Sequence, residues 1–284
     1  MKRRILVTGT TGYLGGEFVK FINKEKKFLI TELIRSDKKK PFNKSINENN
    51  KIFYKQLDEI HKKLAKKKFE YFIHFAAFYK NKHDTNDIFK FNEANILLPT
   101  LILNTINLKL KKFISFGTMM EYSNKKYSPQ NFYASTKRSF EAISKYYQLK
   151  NKSCKFYNIK IFDTFDFNDH RKKIIPVILK KFDQNKEIEL SHRNLKMNII
   201  RPLHLNNFIL KLLKNNFQSQ NIIIKNTKNL SIFKLIKLIE KFKNKKIKLK
   251  IKNKSKNFNI LKKYDGSKII SIKDDIEKYI IKNL

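Results

Sequence analysis

The stretch Ile5-Leu6-Val7-Thr8-Gly9-Thr10-Thr11-Gly12-Tyr13-Leu14-Gly15-Gly16 decides how this chain folds. The chain has only six glycines in 284 residues, and four of them, Gly9, Gly12, Gly15 and Gly16, fall within these few positions. Such clustering needs a local backbone reason. Residues 5–7 read as a short apolar strand, and residues 17–23 have helical spacing with Phe18, Phe21 and Ile22 on one side. In a strand, Gly-x-x-Gly-x-x-Gly, helix arrangement the chain turns tightly and a pyrophosphate can approach the backbone. The anion then rests at the positive end of the helix.

Outward from this junction, strands and helices alternate. Residues 28–34, 52–54, 71–75, 113–116 and 158–162 read as strands. Helical patterns run through Ile60 and Leu64, over 87–107 and over 133–149. Alternation of this kind predicts an α/β fold, a Rossmann-type doubly wound parallel sheet covered on both faces. We place this dinucleotide-binding domain at residues 1–165. Residues 166–284 are expected to form mainly a smaller α/β substrate-binding domain that returns one or two elements to the sheet. Within it, 172–182 and 230–242 have helical periodicity, and 246–251 alternates like a strand.

Composition bounds the function. Lys and Arg number 64 against 24 Asp and Glu, a formal net charge of +40. Fifty-seven of the 64 are Lys and seven are Arg, and the excess accompanies 31 Asn. Arg is the residue that bidentate base and phosphate recognition prefers. The charge therefore reads as compositional drift on a solvated surface, and nucleic acid is not the expected partner. The lone Cys154 permits no internal disulfide and points to a reducing compartment. The apolar run at 5–7 is too short for an export signal, and 96–103, broken by Pro99, is too short to span a membrane. A cytoplasmic protein without a metal site is expected.

Val7-Thr8-Gly9-Thr10-Thr11-Gly12-Tyr13-Leu14-Gly15 resembles the opening of the extended short-chain dehydrogenase/reductase family, which includes the NAD-dependent epimerases and dehydratases of sugar nucleotides. The resemblance implies an NAD or NADP site built from Gly9, Thr11, Gly12, Tyr13, Leu14 and Gly15. NAD users commonly place an acid at the end of the second strand, for the ribose hydroxyls. Here that strand ends Leu33-Ile34-Arg35-Ser36, and Arg35 suits a 2′-phosphate, so NADP is favoured over NAD. Asp58 matches the family's adenine-contacting acid. Ile73-His74-Phe75-Ala76-Ala77 matches the fourth-strand signature, in which Ala76 and Ala77 pass beside the cofactor. Asn95 matches a helix Asn that ties strands together. Ile161-Phe162-Asp163-Thr164, with Asp169 and Arg171 beyond, resembles the sixth-strand segment. It implies cofactor contact by Phe162 and substrate contact by Asp163 and Arg171.

The family's acid–base chemistry rests on Tyr-x-x-x-Lys. With 12 Tyr and 57 Lys, chance alone supplies between two and three matches, and the chain holds four: Tyr122/Lys126, Tyr133/Lys137, Tyr146/Lys150 and Tyr264/Lys268. Position selects among them. Tyr133 and Lys137 open the helix after the fifth strand, on one helical face and at the sheet's carboxyl edge. Tyr146 lies two turns further in, within a Tyr-Tyr pair expected in the core, and Tyr264 lies in the tail. Tyr122 sits where the family has a structural Tyr. The resemblance places the catalytic hydroxyl four residues before that Tyr, at Thr118, with Ser115 the runner-up. Gly117 before it reads as a backbone bend that presents Thr118. Tyr133 would exchange a proton with a sugar oxygen, Lys137 would lower the phenol pKa, and Thr118 would bond the same oxygen.

The layout is most similar to CDP-abequose synthase-like 4-ketoreductases. Met119-Met120 replace the Asp-Glu of the dehydratases, Asn206-Asn207 replace an Asp pair, and Arg201 stands beside the position of the pyrophosphate-gripping Arg. The expected function is a NAD(P)-dependent sugar-nucleotide 4-ketoreductase or epimerase for surface polysaccharide synthesis, working as a homodimer. The competing reading is a catalytically silent Rossmann protein that binds RNA through its lysines.

Overall fold

The computed structural model describes residues 2–36, 50–123, 126–252 and 266–284. Tyr264, of the fourth Tyr/Lys match, lies outside them. One sheet holds eight strands: β1 (Arg3–Thr8), β2 (Phe28–Arg35), β3 (Asn50–Tyr54), β4 (Tyr71–His74), β5 (Lys112–Thr118), β6 (Lys155–Ile161), β7 (Gln220–Asn226) and β8 (Lys268–Ile272). Their order is β8-β7-β6-β5-β4-β1-β2-β3, and every neighbouring pair is parallel. The order reverses between β1 and β4. A parallel sheet opens a ligand crevice at such a switch point, outside the carboxyl ends of the strands.

Nine α-helices are described: α1 (Tyr13–Ile22), α2 (Glu59–Leu64), α3 (Thr85–Asn92), α4 (Leu98–Ile106), α5 (Phe132–Lys150), α6 (Ile174–Asp183), α7 (Pro202–Lys214), α8 (Ile232–Phe242) and α9 (Ile276–Lys282). Side chains alternate between the faces of a strand, so one run of apolar residues feeds two cores. Ile5 and Val7 face Phe18 and Ile22 of α1 and Leu205, Ile209 and Leu213 of α7. Leu6, Phe72 and Phe113 face Leu64 of α2, Ile102 and Ile106 of α4 and Phe140 of α5. Each such buried side chain contributes about 2 kcal/mol.

The helix expected over 87–107 is interrupted. Residues 93–97 form a π turn, in which the Leu98 N–H donates to the carbonyl of Glu93. Pro99 has no N–H to offer Asn95, and the ladder slips by one residue. The slip sets Asn95 inside the turn, fully buried.

Beyond β6 the chain forms a third core, with Phe165, Ile178, Phe182, Leu235, Ile239, Ile276 and Ile280 at its centre. The strand expected at 246–251 is present as Leu249–Ile251 and pairs in parallel with Ile188–Leu190. The sequence pattern marks no helix at α7 or α9 and does not locate β7 and β8, the two strands that the second half adds to the sheet. Helix α7 packs against α1, where Asn206 Nδ2 donates to the Glu17 carbonyl at 3.2 Å. Its C-terminal carbonyls, Leu212, Leu213 and Asn215, accept from the buried Lys112 Nζ at 2.8, 3.0 and 2.7 Å.

Candidate active site

At the end of β1 the backbone of Gly9 has a φ of +75°. A Cβ there would lie 2.3 Å from Ala76 N and 2.6 Å from the Phe75 carbonyl carbon, and one on Gly15 would lie 2.3 Å from Gly9 O. Only glycine lets these backbones meet. Gly12 N donates to Gly9 O at 3.0 Å, and Gly12 opens α1 with no side-chain cap and no acid in the first turn. The helix thus begins without a side-chain cap at Gly12, with its positive end at the turn after β1. Thr10 Oγ1 is buried there without a partner among the described residues. Thr11 and Leu14 are half-buried, with Ala76 half-buried and Ala77 exposed on the crossing strand exit. A cradle of this shape, at an uncapped helix N-terminus, fits a dinucleotide pyrophosphate.

The remaining cofactor candidates lie on other elements. Arg35 ends β2, where its guanidinium bonds Glu93 Oε1 of the π turn at 3.0 Å. Its charge is thus already opposed by a carboxylate. Asp58 is exposed just ahead of α2, and Phe162 packs with Met119, Tyr122 and Ile223.

Helix α5 starts at the other side of the switch point. Asn131 caps it, with Oδ1 accepting from Ala134 N at 3.0 Å. Tyr133 and Lys137 follow one turn apart, the Lys137 ammonium 5.9 Å from the Tyr133 ring centre. Burial pushes the Lys137 ammonium down to about 8, against the opposing pull of Glu121. Burial likewise pushes the Tyr133 phenol well above its ordinary range, with Glu121 and Tyr79 adding to the effect and Arg171 opposing it. The helix is held in register by Asn95, whose Nδ2 donates to Thr136 Oγ1 at 2.9 Å and to the Phe78 carbonyl at 3.1 Å.

Thr118 is the last residue of β5. The single turn of 3₁₀ helix after it, Met119–Glu121, packs against α5. Thr118 Oγ1 accepts from Met120 N at 3.2 Å, and Glu121 Oε1 accepts from Thr118 N at 2.9 Å. The hydroxyl keeps its own proton free to donate. Ser115, by contrast, is buried in mid-strand and bonds Asn158 Oδ1 at 3.2 Å. Tyr122 is also spoken for, its phenol oxygen accepting from Lys160 Nζ at 2.7 Å. Tyr146 is exposed on the outer face of α5, and the core position expected for it belongs to Tyr147.

The expectation for Gly117 needs a correction. Its φ is not in the left-handed region. A Cβ there would lie 2.8 Å from Glu121 Oε1 and 2.9 Å from Lys160 Cγ, so glycine leaves room for a buried ion pair and does not serve to bend the chain.

Of the substrate candidates, two converge on the site and one does not. Arg171 holds Asp169 through Nε and Nη2 at 2.8 and 2.7 Å and lies 4.4 Å over the Tyr13 ring. Asp163 pairs with Lys173 at 3.1 Å, Lys173 reaches the ring of Tyr79, and Tyr79 packs edge-on against Tyr133. Sequence reasoning missed Tyr79 and Lys173, because nothing local marks them. Arg201 is instead tied to Asp274 at 2.9 Å and to His204 Nε2 at 3.1 Å, under Tyr279. It ties the start of α7 to the segment before α9.

Comparison with known proteins bears on this arrangement. The sequence model of the NAD-dependent epimerase/dehydratase family matches residues 5–200, from β1 to the segment before α7. The chain belongs to that family. Its members are enzymes. A CDP-abequose synthase of Salmonella muenchen is 25% identical over 246 residues, covering 85% of this chain and 81% of the relative. Among solved structures, a UDP-glucose 4-epimerase superposes with a TM-score of 0.76 at 16% identity, covering 99% of this chain and 91% of that one. The UDP-glucuronic acid 4-epimerase of Bacillus cereus, solved with UDP-glucuronic acid and NAD, superposes with a TM-score of 0.74 at 17% identity, covering 98% and 93%. Among the described residues, no helix is long and apolar enough to cross a membrane.

Proposed function

We propose that this chain is a NAD(P)-dependent sugar-nucleotide oxidoreductase, a 4-ketoreductase or 4-epimerase that serves surface polysaccharide synthesis. The observation that carries this reading is Tyr133, set one helical turn from a buried lysine and beside a pyrophosphate cradle. The CDP-abequose synthase relative and the UDP-sugar epimerase folds support the substrate class. A bound nicotinamide supplies the redox chemistry at the sugar carbon.

Within this reading, Gly9, Thr11, Gly12, Tyr13, Leu14 and Gly15 hold the pyrophosphate, and Ala76, Ala77 and Phe162 flank the dinucleotide. Tyr133 Oη exchanges a proton with the reacting sugar oxygen. Thr118 donates its free hydroxyl proton to that same oxygen, and the Lys137 charge favours the phenolate form of Tyr133. Asp163 and Arg171 face the sugar nucleotide. Met119 and Met120 provide neither acid nor base, so the two positions that carry the dehydratases' Asp-Glu pair offer no proton relay for 4,6-dehydration.

The cofactor preference rests on Arg35. With Glu93 opposing its charge, Arg35 favours NADP less than an isolated Arg would. The enzyme is proposed to work as a homodimer in the cytoplasm. No structural observation favours the RNA-binding reading over this one.

The test is turnover of NADH or NADPH with CDP- and UDP-linked 4-ketosugars, together with mass analysis of any nucleotide that copurifies. Tyr133→Phe should lower kcat on the order of 10²- to 10⁴-fold and leave cofactor affinity unchanged. Absence of cofactor binding, or full activity in Tyr133→Phe, overturns the reading.

A further inference from the structure

Beneath Thr118 lies a group of buried charges that the proposed chemistry does not use. Lys160, next to last in β6, is fully buried, as is Glu121. Lys160 Nζ donates to Glu121 Oε2 at 2.7 Å, to Glu141 Oε2 of α5 at 2.9 Å and to the Tyr122 phenol oxygen at 2.7 Å. Three acceptors thus surround one ammonium. Glu141 is in turn held by Arg138, Asn158 and Asn221 at 2.8–2.9 Å.

Such a network is a poor way to gain stability. Desolvating two charges costs several kcal/mol each, and well-packed apolar side chains of similar volume often do as well or better. This chain nevertheless makes room for the pair with Gly117, the only glycine between residues 17 and 265. The location is equally specific. One oxygen of Glu121 bonds Lys160 and the other bonds the backbone N–H of Thr118, so the carboxylate joins the buried cation to the residue whose hydroxyl faces the reaction.

We propose that Glu121 and Lys160 form a buried positioning pair for the reaction: Glu121 sets the backbone that aims the Thr118 hydroxyl, and the balance of the two opposite charges sets the field in which Lys137 and Tyr133 work. The inference rests on the reading of Tyr133 and Lys137 as the proton-transfer pair. Glu121 acts on both, opposing loss of the Lys137 proton and opposing ionisation of Tyr133. The other groups facing Lys137 are the buried His74 of β4 and Tyr133 on its own helix, while Tyr133 also meets Tyr79 and Arg171. His74 is held neutral by burial and by Lys137, which leaves Glu121 as the carboxylate acting on Lys137. Burial pushes Glu121 up. Burial also works against the charge of Lys160, but Glu121 and Glu141 outweigh it and hold the ammonium above its ordinary range.

The test reads the proton on Lys137 directly and needs no substrate. In protein labelled with ¹³C at lysine Cε, Lys137 should titrate near 8, in the range shared with Lys112 and below the ordinary lysine value, and loss of one signal in Lys137→Met identifies it. Glu121→Gln keeps the side-chain shape and the bond to Thr118 N but removes the charge. It should move the Lys137 midpoint down on the order of one pH unit, and Lys160→Met should move it up by a similar amount. The double variant should return towards the wild-type midpoint. A pair that served only to fill space would not produce opposite shifts. Unchanged midpoints, or shifts of the same sign in well-folded variants, overturn the inference. If Lys160→Met does not fold, Glu121→Gln and the double variant decide it by the same rule. Failure here leaves the Tyr133 reading standing, because that reading is tested by turnover.

Discussion

Replacing Lys137 with methionine should make the protein more stable and inactive at once. Burial takes this ammonium from an ordinary lysine value of about 10.5 to about 8, and among the described residues no hydrogen-bond acceptor offsets it. The folded-state pKa is depressed, so below about 8 both folded and unfolded chains hold the proton and the fold carries the full cost of a buried charge. Two and a half units correspond to about 3 kcal/mol. Between about 8 and 10.5 the unfolded chain holds the proton and the folded chain does not, so wild-type stability recovers across that window. Methionine fills similar space without the charge. In urea unfolding at pH 7, Lys137→Met should therefore be the more stable protein by about 3 kcal/mol, and by pH 10 the gap should close to about 1 kcal/mol. All other titrating lysines are common to both proteins and cancel. A variant less stable than wild type at pH 7, or a gap that does not narrow with pH, refutes the reasoning.

Other perturbations separate the remaining contacts. Gly117→Ala should cost about 1–3 kcal/mol in denaturant unfolding, since its Cβ meets Glu121 and Lys160 inside van der Waals range, and a variant as stable as wild type would show that the pair has slack. Gly9→Ala should abolish nicotinamide dinucleotide binding in calorimetry, because its φ of +75° and the Ala76 backbone at 2.3 Å both exclude a side chain. Lys112→Met should destabilise by about 2 kcal/mol, by stripping three carbonyls at the end of α7 of their donor, although burial pushes this ammonium too down to about 8; a neutral result would mean that the two effects cancel. Glu93→Gln should raise the affinity for NADP relative to NAD severalfold by removing one carboxylate that opposes the Arg35 charge, and an unchanged ratio would remove Arg35 from the 2′-phosphate site.

How much of this was legible beforehand depended on how local each cause is. The first strand, glycine turn and helix lie within about twenty residues, and the clash of Gly9 with Ala76 only explains what glycine spacing already signalled. The strands from β2 to β6 were readable as apolar runs because a doubly covered parallel sheet needs them. Helix α7 carried Pro202 at its start and apolar spacing at Leu205, Ile209 and Leu212, yet it was missed in a tail dense in Lys, Asn and Ile. Strand β8 was harder. It is an edge strand whose exposed and half-buried residues follow no period of two, and only its pairing with β7 defines it. Gly117 was visible as an anomaly, but its reason was not. Glu121 and Lys160 are 39 residues apart in sequence, and nothing local announces that they meet.

Lysine in this chain is so common that its presence at any position carries almost no information; what discriminates is how a buried lysine is satisfied. Lys112 is surrounded by three carbonyls at a helix end, and Lys160 by two carboxylates and a phenol. Both have acceptors at hydrogen-bond distance in place of water. Lys137 is the third, and the described residues give it none, only the distant pull of Glu121. A buried ammonium left without acceptors is a standing cost to the fold. Such a group is retained where a ligand completes it, and of the three buried lysines Lys137 is the one that has room for a ligand's oxygen as its partner.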